Sequence, residues 1–211
     1  MLELNKLYLM DCMEGMREFP DKYFDLAIVD PPYGIGMAKW DIKPDEIYFR
    51  ELFRLSKEQI IWGMNHFKLP TTNNFIFWDK KQQGKQARGE LAWTSTGKVK
   101  YFLREWQWDR NNVVLRQHVC QKPIQLYKWI LRNYAKPDFK IIDTHVGSGS
   151  SIIAFLDYGC EWIGFEIDED YHKAASERIE IHKKRPKPFF TDVELADKNI
   201  KQKGFFDDNK P

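Results

Sequence analysis

The chain has 211 residues, enough for one domain with a substantial core and room for an insertion. Hydrophobic residues make up 43% and charged residues 30%, the proportions of a soluble globular protein, and no run approaches the ~20 apolar residues that span a bilayer. Net charge is only +2, yet residues 80–136 hold 13 Lys and Arg against three acids. A basic middle in an otherwise acidic chain suits either a solvated surface or a polyanion partner on one face.

In chain order, strands and helices alternate. "KLYLMD" (6–11) predicts a strand ending on an acid, and "CMEGMREF" a short helix. The apolar run "FDLAIVD" (24–30) predicts a strand buried on both faces. It stops at "DPPYGIG" (30–36), where two imides forbid a continuing strand or a regular helical turn. A helix is expected over 44–56, opened by Pro44, then a strand over 58–64. Residues 73–80 and 98–106 are β-rich and are expected to form an antiparallel edge. Between them, the polar and basic "KKQQGKQARGE" (80–90) is expected to be a mobile loop.

Ile124, Tyr127, Ile130, Leu131 and Tyr134 recur at helical spacing, predicting a helix over 122–135. "FKIID" (139–143) predicts a strand and "SIIAFLDY" (151–158) a helix closed by Gly159. "EWIGFEID" (161–168) predicts a strand, and 168–184 a helix. The Pro-, Lys- and Asp-rich tail from Arg185 is expected to be loose. This order implies an α/β, doubly wound, mostly parallel sheet of seven strands with an antiparallel edge, in one domain over 1–185.

Cys12, Cys120 and Cys160 are odd in number and widely spaced, so no disulfide framework is expected and a reducing cytoplasm fits. The five histidines form no H-E-x-x-H pattern, so no metal site is expected. "MLELNKLYLMD" shows no basic segment followed by a long apolar one, so no signal peptide is expected.

Two stretches carry chemistry. In "IIDTHVGSGSS" a strand runs into a turn that opens a helix. Gly147 and Gly149 let a ligand approach the backbone, and the helix start presents free N–H groups. Glu166 ends the following strand, where an acid can hold a ribose diol. With Asp143 these residues imply an adenosine-type cofactor. A dinucleotide fingerprint fails, because Ile152 stands where its third glycine belongs. In "DPPYGIG", Asp30 falls at the carboxyl end of a buried strand. Pro31 and Pro32 have carbonyls but no N–H, and Tyr33 supplies a flat ring. Paired acceptors beside a ring suit the –NH₂ group of a base; a plain tight turn would use the same residues. Gly34 and Gly36 are expected to let this loop move.

"DPPY", followed by "QKP", "DTHVGSG" and an acid-ending strand, resembles the S-adenosylmethionine-dependent amino-methyltransferases of DNA. The catalytic motif precedes the cofactor motif, as in the permuted β group, which methylates adenine N6 or cytosine N4. The likeness runs over about residues 7 to 180. It implies a Rossmann-like methyltransferase fold, S-adenosylmethionine as cofactor, and double-stranded DNA as partner, with no membrane and no metal. It matches Asp30, Pro31, Pro32 and Tyr33 to the catalytic motif, with Asp30 also at the cofactor. Asp143, Gly147, Ser148 and Gly149 match the cofactor loop, and Glu166 the ribose-binding acid. Asp11 matches the acid that meets the adenine of the cofactor, with Cys12 beside it. Lys122 and Pro123 match the segment that closes over the methionine part. His145 replaces the usual Phe. Only about residues 79–117 remain for DNA recognition, a short basic insert that fits a dimer on DNA. "DPPY" resembles adenine-N6 enzymes more often than cytosine-N4 ones. Enzymes that methylate protein amides carry Asn in place of Asp30. From other classes, a NAD-dependent oxidoreductase lacks its third glycine here, and a bare DNA-binding module leaves Asp30 and Glu166 unused.

Overall fold

A computed structural model describes residues 1–36, 41–80, 88–97, 99–103 and 121–184. The elements are β1 (Lys6–Leu9), α1 (Cys12–Arg17), β2 (Phe24–Val29), α2 (Glu46–Leu55), β3 (Ser56–Trp62), β4 (Phe75–Asp79), β5 (Gly89–Thr94), β6 (Lys100–Leu103), α3 (Ile124–Tyr134), β7 (Lys140–Asp143), α4 (Ser150–Tyr158), β8 (Glu161–Glu166) and α5 (Glu169–Lys184). A 3₁₀ turn, Met64–His66, follows β3.

The eight strands of the described residues form one sheet in the order β1-β8-β7-β2-β3-β5-β4-β6. The doubly wound, mostly parallel α/β architecture is present, with one strand more than the seven expected. The extra strand is β5, whose first two residues, Gly89 and Glu90, fall in the stretch expected to be a loop. It is also the strand that runs against its neighbours, pairing antiparallel with β3 and β4. β4 and β6, expected to be the antiparallel edge, run parallel to each other. The polar face of "GELAWT" hid a strand whose inner residues, Ala92 and Trp93, are buried. Within 80–117 the described residues thus supply β5 and β6; residues 81–87, 98 and 104–120, and the tail from Arg185, lie outside the described residues.

The central strands bury both faces, as continuous apolar runs must. Along β2, Leu26 and Ile28 face the layer built by α3, α4 and α5. Phe24, Ala27 and Val29 face the layer of α1 and α2. β7 splits likewise, Ile141 to the first layer and Ile142 to the second. Layers pack closely where the sequence is small: a Cβ on Gly15 of α1 would stand 2.5 Å from the Phe165 ring of β8. Helix ends differ by a residue or two from expectation. Pro44 stays outside α2, because Asp45 caps it by accepting from Ile47 N and Tyr48 N. Lys122 and Pro123 precede α3. Gly159 closes α4 in the left-handed conformation, donating to Phe155 O at 2.9 Å.

Candidate active site

Parallel strands deliver their carboxyl ends to one rim. β1, β8, β7 and β2 are consecutive there, and each ends on or within two residues of an acid: Asp11, Glu166, Asp143 and Asp30. Asp11 caps α1, accepting from Met13 N at 2.8 Å. Cys12 follows it, and burial pushes its thiol up to about 12, with the Asp11 charge adding to the effect. That thiol is not a nucleophile at neutral pH.

Asp143 is buried. Ser151 Oγ donates to it at 2.5 Å and His145 N at 3.0 Å. Burial nevertheless pushes its carboxyl up to about 7; the two donors oppose the rise, and the charges of Asp30 and Glu166 add to it. His145 Nδ1 lies 2.9 Å from Thr144 Oγ1, and its ring meets Tyr48 edge-on, centroids 5.4 Å apart. Burial lowers its pKa to about 4, so the imidazole is neutral and aromatic in character. The turn beyond needs its glycines: Gly147 and Gly149 have φ of 53° and 79°. Gly147 N donates to Glu166 Oε2 at 2.7 Å, and Asp168 N to Oε1 at 3.0 Å. Burial still raises the Glu166 carboxyl, because these amides only partly replace water. Ser148 is turned toward α5, whose Arg178 donates to its carbonyl at 2.7 Å.

Asp143 supplies a test by pH. Its carboxyl titrates near 3.8 when unfolded and about 7 when folded. Between those values the folded chain holds a proton that the unfolded chain has released. Stability therefore falls as pH rises through that window, by up to ~1.4 kcal/mol per pH unit. Urea unfolding at pH 5 and pH 7 should show a steeper loss for the wild type than for Asp143→Asn. Equal pH dependence of the two proteins would refute the shift.

Asp30 stands at the end of β2 with both oxygens engaged. Tyr33 OH donates to Oδ1 at 2.8 Å, and the Lys122 ammonium donates to Oδ2. Pro31 is buried and Pro32 half-buried. The Tyr33 ring stacks on His66, centroids 4.6 Å apart and planes 9° from parallel. It rests against Gly63, which follows β3 with φ 75°. Burial, and then the Asp30 charge, push the Tyr33 hydroxyl well above its ordinary value, so it remains a donor. Gly34 and Gly36 both have positive φ. The Gly34 and Ile35 amides each donate to the Asp41 carboxylate at 2.8 Å, so the turn expected to move is tied down on this side.

The structure therefore gathers the expected residues into two adjoining groups. Asp30, Tyr33 and Lys122 form one; Asp143, His145, Gly147 and Glu166 form the other, with Asp11 and Cys12 at its margin. Sequence reasoning missed Glu90, Lys80, Trp62 and His66. Lys122 is buried over the Trp62 ring at 5.0 Å and 3.1 Å from Glu90 Oε2, and Glu90 also pairs with Lys80. One signal was available for Glu90: it is the sole acid between Lys80 and Arg104. Among the described residues no His, Cys, Asp and Glu cluster could hold a metal ion, and no helix is long and apolar enough to cross a membrane.

A doubly wound sheet with acids at its strand ends, facing a glycine turn, defines a ligand-binding enzyme domain of the Rossmann-like class. Within that class the chain belongs to the N6/N4 DNA methylase family, whose model matches residues 43–177. The matched span holds Lys122, the 143–149 turn and Glu166, and begins after Asp30–Tyr33. The chain is similar to the Type II methyltransferase M1.MboII of Moraxella bovis, 21% identical over 251 residues that cover 83% of this chain and 96% of that protein. Its fold is similar to that of the M1.HpyAVI–SAM complex, with TM-score 0.60, 16% identity and coverage of 82% of this chain and 98% of that one. It is similar also to PvuII DNA methyltransferase, which is cytosine-N4-specific, with TM-score 0.60, 12% identity and coverage of 91% and 90%.

Proposed function

We propose that this DNA amino-methyltransferase acts on adenine, transferring a methyl group from S-adenosylmethionine to the exocyclic N6 amine of a base flipped out of double-stranded DNA. One observation carries the reading. The Asp30 carboxylate and the Tyr33 ring are held together at the rim, beside a row of acids.

That row fits the cofactor. Asp143 is pushed up to about 7 by burial, with the neighbouring charges of Asp30 and Glu166 adding to it, so negative charge is crowded there. A cation relieves the crowding, and S-adenosylmethionine, with a sulfonium and an ammonium against one carboxylate, is positive overall. When bound, it supplies an electrophilic methyl group. Glu166 would hold the ribose diol, and Asp11 with Cys12 the adenine. Asp143, Gly147, Ser148 and Gly149 would line the loop, with His145 packing where the family has Phe. Lys122 and Pro123 would close the pocket over the methionine part.

The amine of adenine is a weak nucleophile because its lone pair is conjugated with the ring. Asp30 and the Pro31 carbonyl would accept its two N–H hydrogens and draw the nitrogen toward tetrahedral geometry. They also offset the positive charge that grows on it, as preorganised acceptors do. Pro31 and Pro32 hold that frame rigid, and Tyr33 stacks on the flipped base. Much of the acceleration then comes from positioning.

Cytosine N4 presents the same –NH₂ group. Asp at the head of "DPPY", rather than Ser, favours adenine. The deciding experiment incubates the full chain with unmethylated genomic DNA and isotope-labelled cofactor, then identifies the nucleosides by mass spectrometry. N6-methyladenine is expected. N4-methylcytosine would replace the substrate, and no labelled base would overturn the proposal.

A further inference from the structure

Lys122 raises a difficulty for this chemistry. Its ammonium sits on Asp30 Oδ2, an oxygen that the target amine also needs. It is 3.5 Å from Tyr33 OH and over the Tyr33 ring at 6.0 Å. Asp30 Oδ1 already accepts from Tyr33 and Oδ2 from Lys122, so a base amine must compete with the lysine for this carboxylate. A fixed cation would also oppose the positive charge that grows on the attacking nitrogen.

The relief lies on β5. Glu90 is reached from the other side by Lys80, so Lys80, Glu90, Lys122 and Asp30 form an alternating line of charge. Glu90 Oε2 is buried and only 3.1 Å from Lys122 Nζ, so the ammonium already lies between two carboxylates. A buried carboxylate oxygen needs a donor beside it, so Oε2 offers the ammonium a second seat. The Lys122 ammonium tightens that contact by shifting off Asp30.

We propose, resting on the methyl-transfer function above, that Glu90 is a positioning residue. It draws the Lys122 ammonium away from Asp30 as the target amine arrives, and so frees the acceptor. Burial works against the charge on both residues. Asp30 and Glu90 still raise the Lys122 pKa, and Lys122 and Lys80 lower that of Glu90, so the exchange passes between groups that stay charged.

The test compares the full-length wild type, Glu90→Gln and the double variant Glu90→Gln/Lys122→Met. Turnover is measured on unmethylated DNA with cofactor above its measured Kd. Glu90→Gln should lower kcat by about 10- to 100-fold, less than the 10²- to 10³-fold of a lost direct transition-state contact because Glu90 acts through Lys122, with cofactor Kd within twofold of wild type. Without Glu90, the ammonium stays on Asp30. Removing it in the double variant should recover kcat by at least about tenfold over Glu90→Gln, a rescue that lost packing would not produce. A Glu90→Gln kcat within twofold of wild type overturns the inference, and so does a double variant no faster than the single one. Either result leaves the function standing if the wild type methylates DNA. A wild type that transfers no methyl overturns both.

Discussion

Asp30→Ala should lower methyl transfer by about 10²- to 10³-fold or more, the scale seen when one preorganised transition-state contact is removed. Cofactor affinity should stay within about threefold of wild type, because Glu166 and the 143–149 turn are untouched. Single-turnover transfer and calorimetric binding separate the two effects. Alanine also takes one carboxylate from the buried Lys122 ammonium, leaving it Glu90. Some stability will be lost, so Asp30→Asn is the companion variant. It keeps the shape of the side chain but presents an –NH₂ toward Lys122 or the incoming amine. Ordinary turnover in either variant would refute the role given to Asp30.

Gly63→Ala should be nearly as damaging, although Gly63 touches no substrate in the proposed mechanism. Its φ is 75°, and an added Cβ would stand 2.3 Å from the Tyr33 ring. Left-handed backbone costs a side-chain-bearing residue about 1–2 kcal/mol. Overpacking a held ring adds about 1–3 kcal/mol. Tyr33 has no easy retreat, since its hydroxyl is bonded to Asp30 and its face to His66. Urea unfolding should show a loss of about 2–5 kcal/mol, and turnover should fall with the displaced ring. Gly36→Ala is the control: φ is 79° there too, but nothing lies within 4 Å of its added Cβ, so only the backbone cost applies. Equal stabilities for the two variants would show that the contact with Tyr33 does not matter.

The order of strands and helices was legible because both faces of the central sheet are buried. Runs such as "FDLAIVD" announce themselves without their neighbours, and the acids that end them mark the rim. Asp30, Asp143 and Glu166 were found in this way. β5 was not legible. "GELAWT" begins with a glycine and an acid, follows a basic polar stretch, and becomes a strand only because β3 and β4 pair with it on both sides. Its propensity was overridden by tertiary pairing. Missing β5 hid Glu90, and without Glu90 the basic segment read only as a solvated face or a DNA-facing insert, not as part of the site. Lys122 was singled out by "QKP", but its contact with Asp30 depends on a sequence separation of 92 residues. No local pattern encodes such a contact. His66 was hidden because its stacking on Tyr33 follows from the bend at Gly63.

The reversed direction of β5 has a consequence for how this rim can be altered. Parallel strands bring their last residues to it, whereas β5 brings its first: Glu90 is the second residue of the strand and pairs with Trp78, one residue before the end of β4. Its placement therefore depends on where the hairpin from β4 re-enters the sheet. A slip of one residue in that pairing would turn Glu90 to the opposite face and bring an apolar Leu91 or a Gly89 to Lys122. Grafts of foreign sequence between β4 and β5 would then have to preserve the phase of the returning strand.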